Sequence, residues 1–355
     1  MNNSSTYCLI MAGGVGSRFW PLSTEENPKQ FLDILGTGKS LIQLTFDRFN
    51  QMIPEENIYV LTNMAYKSKV VEQLGIDSDQ VLCEPQRKNT APCLAYATAK
   101  IHKKDSNAIL LVSPADHLII NETQFFKDLK TGIEKAQHSK NLVTFGIKPN
   151  RPDTGYGYIE FDASEGSMNS VAKVKQFREK PDLSLAINFI EQGNFYWNSG
   201  MFVWKSVTII ESFKKHSTEL YNIFFKNLES YNTEMENEFL NRAFSNCEDI
   251  SIDYAILEKD PNTSVVLSTF DWSDLGTWGS LKDLVEKDEN KNSKNNKEIH
   301  FFNSNECLVR TNANKTTIID GLNNYIIIDT DDKLMILNGE NEQKLKSYLK
   351  TINQE

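Results

Sequence analysis

No stretch of this 355-residue sequence approaches the ~18 consecutive apolar residues of a membrane-spanning helix. The first residues, MNNSSTY, have no basic start and no apolar run behind them, so no secretory leader is expected. Cysteine is scarce. Cys8, Cys83, Cys93, Cys247 and Cys307 are five in number, widely spaced and without a C-x-x-C pair. That pattern excludes a disulfide framework and reads as reduced core thiols in a cytoplasmic protein. The five histidines form no cluster with cysteine, so neither a zinc site nor a Ser-His-Asp set is expected. Positive charge is not in excess: 38 Lys+Arg against 48 Asp+Glu leave a net charge of −10. An acidic chain is excluded as a broad nucleic-acid or anionic-membrane binder. It can still hold a polyanion where a few placed cations gather. With 39% hydrophobic and 24% charged residues, disorder is excluded as well. The length corresponds to about two domains at ~150 residues each.

What is present is an alternation of short apolar runs and helical spacings. Strands are predicted over 7–11, 58–62, 81–83, 108–112 and 142–147. Helices are predicted over 41–49, 66–74 and 123–137, with another that has Pro92 in its first turn and continues through Ala99. This order implies an α/β, doubly wound, mainly parallel sheet, whose ligands bind beyond the carboxyl ends of the strands. The middle, 151–280, is more mixed, with strands over 156–161 and 171–177 and helices over 182–191 and 207–215. Phe270 to Trp278 reads as a site loop. The run KDENKNSKNNKE at 287–298 is polar and of low complexity, and it reads as a linker or long surface loop. Short β-rich segments follow at 307–310, 316–320, 325–329 and 334–337, then a helix over 342–352. They fit a small all-β tail, as in a few coils of a β-helix. The expected division is 1–285, a polar linker 286–299, and a tail 300–355.

The sharpest local signal is Leu9 to Leu22, LIMAGGVGSRFWPL, an apolar strand running into three glycines and an arginine. Glycines let backbone N–H groups approach phosphate oxygens, and Arg18 can add a charge-assisted bond. Phe19 stands where a dinucleotide fingerprint needs its third glycine, and G-K-S at Gly38 to Ser40 lacks the upstream glycine of a P-loop. A-G-G-x-G-x-R-x-W-P-L with Pro28-Lys29-Gln30 resembles the sugar-1-phosphate nucleotidylyltransferases. The tryptophan variant resembles the mannose-1-phosphate guanylyltransferases among them. The resemblance implies a Rossmann-like nucleotidyltransferase fold with a mixed sheet, making 1–285 the catalytic domain. It also implies that Ala12, Gly13, Gly14 and Gly16 wrap a nucleoside triphosphate whose phosphates Arg18 and Lys29 hold.

Other strings match the same family in order. Glu84 to Pro92, EPQRKNTAP, resembles its base-contacting segment, which implicates Glu84, Asn89 and Thr90; read alone, Asn89 or Thr90 is a helix N-cap. Asp116 in SPADH follows a predicted strand, where a carboxylate can meet Mg²⁺ or simply make a turn. The resemblance makes it a metal ligand together with Asp274 in WSDLGTW. Gly157 in GYGYI, Glu179 and Lys180 in FREKP, and Asn198 in WNSGMF resemble the hexose-phosphate segments. They imply Gly157, Glu179 and Asn198 at the sugar and Lys180 at its phosphate. Asp253 and Glu258 in SIDYAILE match the family too, but receive no chemical step. The implied reaction is GTP plus mannose-1-phosphate giving GDP-mannose and pyrophosphate, with Mg²⁺, in a homodimer with no nucleic-acid or membrane partner. Arg18, Lys29 and Lys180 are the implied catalytic residues. The alternatives are a related enzyme with another base or sugar, or a regulatory subunit that senses nucleotide sugars without turnover. Longer family members carry a fused phosphomannose isomerase domain, for which the residues after the β tail leave no room.

Overall fold

The computed structural model describes residues 5–14, 16–164, 170–312 and 315–352. The chain divides into two compact units. One comprises Met1–Gly13, Thr45–Ala115 and Ile119–Trp272; the other comprises Gly14–Leu44, Asp116–Leu118 and Ser273–Glu355.

The first unit is built on one nine-stranded sheet. Strands β1 (Thr6–Met11), β2 (Ile58–Asn63), β3 (Val81–Glu84) and β4 (Ile109–Pro114) pair in parallel in the order β3-β2-β1-β4. Strands β5 (Leu142–Ile147), β6 (Gly157–Phe161), β7 (Val171–Glu179), β8 (Phe195–Lys205) and β9 (Thr263–Ser268) extend it as β4-β8-β5-β9-β7-β6. β8 runs antiparallel to both β4 and β5, so the sheet is mixed. The four parallel strands are almost wholly buried, as uninterrupted apolar runs covered on both faces require. Helix α1 (Leu41–Asn50) enters this unit at Thr45.

Each early helix has a local start or stop signal. α2 (Lys67–Leu74) ends at Gly75 in the left-handed region, α3 (Thr90–Lys104) is capped by Asn89, and α4 (Glu122–His138) is capped by Asn121. α5 (Leu183–Gln192) starts on an Asp182 cap. α6 (Ser206–His216), α7 (Thr218–Phe224) and α8 (Glu236–Asn246) follow in this unit. Their aromatic residues Phe213, Phe224 and Phe244 join Leu9, Leu94, Leu110 and Trp204 in one core.

The second unit combines α9 (Trp278–Leu284) with β10 (Ser293–Lys294), β11 (Ile299–Phe302), β12 (Leu308–Arg310), β13 (Thr317–Asp320), β14 (Tyr325–Asp329) and β15 (Leu334–Asn338), then α10 (Leu345–Ile352). β10, β12 and β14 stack in parallel, with β15 antiparallel at the edge, and β11 pairs in parallel with β13. Strands from β10 to β14 therefore alternate between two sheets, the arrangement of a short β-helix.

The polar run expected to be a linker is its first coil. Asn292 is 2% exposed. Its Nδ2 donates to Ser304 O at 2.9 Å, and its Oδ1 accepts from Cys307 N at 2.9 Å. Asn295 repeats the pattern with Thr311, donating to the carbonyl and accepting from the amide. A carboxamide has one acceptor face and one donor face, like a peptide group, so asparagine can pair with a neighbouring coil. Composition alone reads such a run as unable to bury itself. The glycine-loop segment also packs with this tail. Phe19, Leu275, Trp278, Leu281, Leu308 and Leu345 share a core. The Phe19 and Trp278 rings lie 4.7 Å apart, and Trp278 Nε1 donates to Trp20 O.

Candidate functional site

The second unit gathers a cavity of about 360 Å³, lined by Gly16, Arg18, Lys29, Asp116, Asp274 and Lys346, among others. Gly16 has φ 68°, and a Cβ there would stand 2.4 Å from Lys29 Cβ, so both conformation and space demand glycine. Gln30 Nε2 ties the turn by donating to Gly14 O at 2.9 Å. Lys29 is 3% exposed. Its ammonium donates to Asp116 Oδ2 at 2.9 Å and to Asp274 O at 2.8 Å, beside the Phe19 ring. Burial would raise the Asp116 carboxyl, but Lys29 and His117 outweigh it and hold it below its ordinary value. Asp274 sits in a tight turn: Leu275 has φ 44°, and Asp274 Oδ1 accepts from Gly276 N. A Cβ on Gly276 would lie 2.5 Å from Asp274 Oδ2, so a side chain there would displace the Asp274 carboxylate. Asp116 and Asp274, far apart in sequence, thus line one cavity. Among the described residues no cluster of three or more His, Cys, Asp or Glu forms a closed metal cage.

In the first unit, β1 ends at the start of the loop. Ala12 N donates to Leu61 O, and Ala12 O accepts from Thr62 Oγ1. A Cβ on Gly13 would lie 3.7 Å from Glu84 Oε1. Glu84 is buried; loss of solvent pushes its carboxyl up to about 7, against the smaller opposing effects of the Cys93 hydrogen bond and Arg87. Asn89, at φ 65°, accepts from Thr90 N and caps α3, while Thr90 Oγ1 accepts from Ile252 N at 2.9 Å. Asn89 thus has a local cap bond, while Thr90 is tied to a residue 162 positions away.

A separate group in the same unit meets where β6, β7 and β8 run together. Gly157 pairs with Glu179, and a Cβ on it would stand 2.5 Å from Glu179 Oε2 and 3.5 Å from Asn198 Cβ. The register of β5 against β8 shifts between Thr144 and Gly146, with Gly146 opposite Asn198. Asn198 Oδ1 accepts from Thr144 Oγ1 at 2.9 Å and from Gly200 N, and its Nδ2 donates to Asp253 Oδ1 at 3.0 Å. The carboxamide is therefore held in one orientation. Desolvation first, and then the Glu179 charge, push the Asp253 carboxyl up to about 7. Lys180, at φ 46°, donates to Glu179 Oε1 at 2.7 Å.

Sequence reasoning left Asp253 and Thr144 without roles at Asn198, although the SIDYAILE match was a pointer to the first. It also missed Arg151, whose guanidinium lies 5.2 Å over the Trp197 ring and bonds Asp153. Lys346 carried no signal at all. A further cavity of about 740 Å³ in the first unit includes Tyr59, Tyr96, Lys100, Lys104 and Glu236 in its lining. Lys100 there is paired with Glu236 and Lys104 with Tyr59 Oη.

A family model described as nucleotidyl transferase matches residues 7–291. Mannose-1-phosphate guanylyltransferase of Salmonella montevideo is 36% identical over 352 residues, covering 97% of this chain and 73% of that protein. Alginate biosynthesis protein AlgA of Pseudomonas putida is 35% identical over 353 residues, covering 98% and 71%. A crystal structure described as mannose-1-phosphate geranyltransferase, from Thermus thermophilus, superposes with a TM-score of 0.87 at 27% identity, covering 98% of this chain and 99% of that one. Among the described residues no helix is long and apolar enough to cross a membrane.

Proposed function

Because the chain belongs to the nucleotidyl transferase family, we propose that it transfers a guanylyl group from GTP to mannose-1-phosphate, forming GDP-mannose and releasing pyrophosphate. The observation that carries this reading is the cavity in which Lys29, clamped between Asp116 and the Asp274 carbonyl, lies with Arg18 and two carboxylates. A sugar-phosphate oxygen attacks the α-phosphorus in line. One P–O bond forms, and the bond to pyrophosphate breaks. The attacking oxygen is already anionic at neutral pH, so no general base is needed. The catalytic problem is to bring polyanions together and neutralise the charge on the leaving group.

Arg18 can grip phosphate oxygens with its planar fork. Lys29, buried and fixed, orients the phosphates. Glu179 and Asn198 offer acceptors and a carboxamide to sugar hydroxyls, and Lys180 offers a point charge to the sugar phosphate. Two carboxylates on one cavity, with no group of three or more His, Cys, Asp or Glu among the described residues, fit Mg²⁺, which is usually held by one or two carboxylates plus substrate phosphates. Asp116 and Asp274 would hold it, and when bound it would supply positive charge at the phosphates. A cytoplasmic location is part of the same reading, supported by five buried, unbridged cysteines. So is self-association, supported by Phe302, Ile318, Leu334 and Ile336, exposed on the β tail.

The test is pyrophosphate release across four nucleoside triphosphates and several sugar-1-phosphates, with and without Mg²⁺. GTP with mannose-1-phosphate is expected to be the fastest pair. Asp274→Asn is expected to lose about 100-fold or more in kcat while keeping its circular dichroism spectrum. A different preferred pair moves the assignment to another member reaction. Near-normal kcat in the variant removes the metal role, and tight binding without any turnover replaces the enzyme with a sensor.

A further inference from the structure

The phosphate cavity is completed by a residue from the far end of the sequence. Lys346, on α10, lines it together with Arg18 and Lys29. Nothing in the motif pattern points to this lysine, which lies beyond the residues matched by the family model. Its placement follows from how α10 is anchored. Leu345 is buried and Leu349 partly buried; four residues apart, they share one helix face and pack into the core that holds Phe19, Trp278 and Leu281. Lys346, one position on from Leu345, is turned off that face and is exposed. The chain just before α10 is pinned as well. Glu342 accepts from Gly279 N in the first turn of α9, and a Cβ on Gly279 would meet the Glu342 carboxylate at 2.7 Å. Glu342 also lies within electrostatic reach of Arg18. Core packing on one side and a helix-cap bond on the other thus hold Lys346 beside the loop that bears Arg18.

The charge balance at the site gives this lysine a task. Lys29 already spends two of its three donors on Asp116 and Asp274 O, and its charge is compensated by the Asp116 carboxylate. A departing pyrophosphate brings a further three to four negative charges; Arg18 and a Mg²⁺ held by Asp116 and Asp274 would offset only part of them, because the carboxylates that hold the ion take up part of its charge. We propose that Lys346 is a phosphate-binding residue of the active site, contacting the β- and γ-phosphates of the triphosphate and the pyrophosphate they become, so that the C-terminal helix is part of the catalytic machinery. The proposal rests on the nucleotidyl-transfer reading but not on which base or sugar is used.

The experiment compares Lys346→Ala and Lys346→Arg with the unaltered chain. Synthesis and the reverse reaction from pyrophosphate are both measured, and inorganic pyrophosphate with Mg²⁺ is titrated by calorimetry. Lys346→Ala is expected to raise KM for pyrophosphate and for GTP about tenfold, as loss of one charged phosphate contact would. KM for the sugar phosphate should hardly change, and Lys346→Arg should recover most of the loss. The thermal melting point should stay within about 1 °C, since an exposed position is altered. Unchanged pyrophosphate affinity in Lys346→Ala overturns the proposal. Equal losses for every substrate, unrescued by arginine, also overturn it, because they indicate a disturbed helix rather than a contact. If the chain turns over no nucleotide at all, the functional reading fails, while weaker pyrophosphate binding in the titration still supports the contact.

Discussion

Lys29 shows how much of a site can depend on one side chain's surroundings. Its stem fills the space that a side chain on Gly16 would need, and its ammonium ties two sequence-distant turns together. Glu84 shows the converse, a carboxyl that burial holds near neutrality at a pKa of about 7. Its ordinary value is 4.5, so between pH 4.5 and 7 the folded chain keeps a proton that the unfolded chain has released. The stability from this group is complete below pH 4.5 and is lost as pH rises through about 7; the full swing is on the order of 3 kcal/mol. Asp253, pushed to about 7 from 3.8, acts in the same direction. Calorimetric melting from pH 5 to 8.5 should therefore show Glu84→Gln falling less steeply than the unaltered chain and melting above it at pH 8. Parallel curves would mean that the carboxyl is not held in its neutral form.

At the scale of elements, strands and motif loops were legible in the sequence for a physical reason. Runs such as 7–11 and 142–147 are apolar but for Thr144 and almost wholly buried, as a strand covered on both faces is. The loops that follow them carry glycines whose necessity is visible locally. The first coil of the tail was not legible, because an asparagine that pairs with a backbone two strands away looks like one that is merely solvated. The difference is testable. Asn292→Ala removes a donor to Ser304 O and an acceptor from Cys307 N at a buried position. It should cost about 2–3 kcal/mol in denaturant unfolding. Asn290→Ala, two residues away and exposed, should cost less than about 0.5 kcal/mol. Equal effects would return the segment to the status of a loop. Asp253 was missed in a related way: its motif was visible, but its bond to Asn198 joins residues 55 positions apart. Lys346 was missed because no local pattern marks a cavity lined from stretches scattered between Gly16 and Lys346.

For the whole molecule, the net charge of −10 and the apolar spots on the tail bear on association. Leu334 and Ile336 alternate with buried Met335 and Leu337 on β15, an edge strand paired on one side by β14. Exposed apolar residues on an unpaired edge invite a partner. Light scattering after size exclusion should give twice the chain mass of 40.5 kDa, and Ile336→Glu should return it to one. A monomeric unaltered chain, or a dimer indifferent to this change, removes the tail from self-association.

The second unit is assembled from residues 14–44, 116–118 and 273 onward, and this has a consequence in time. Lys29 finds Asp116 across 87 positions, and the Asp274 carbonyl across 245. At a synthesis rate of roughly 5–20 residues per second, Lys29 leaves the ribosome on the order of ten seconds or more before the Asp274 carbonyl exists. Until then, Phe19 and its neighbours lack the core they later share with Trp278 and Leu345. The loop closures are long, so their entropic cost comes before the contacts that repay it. A nascent chain therefore carries its glycine loop in an unfinished state until α10 arrives.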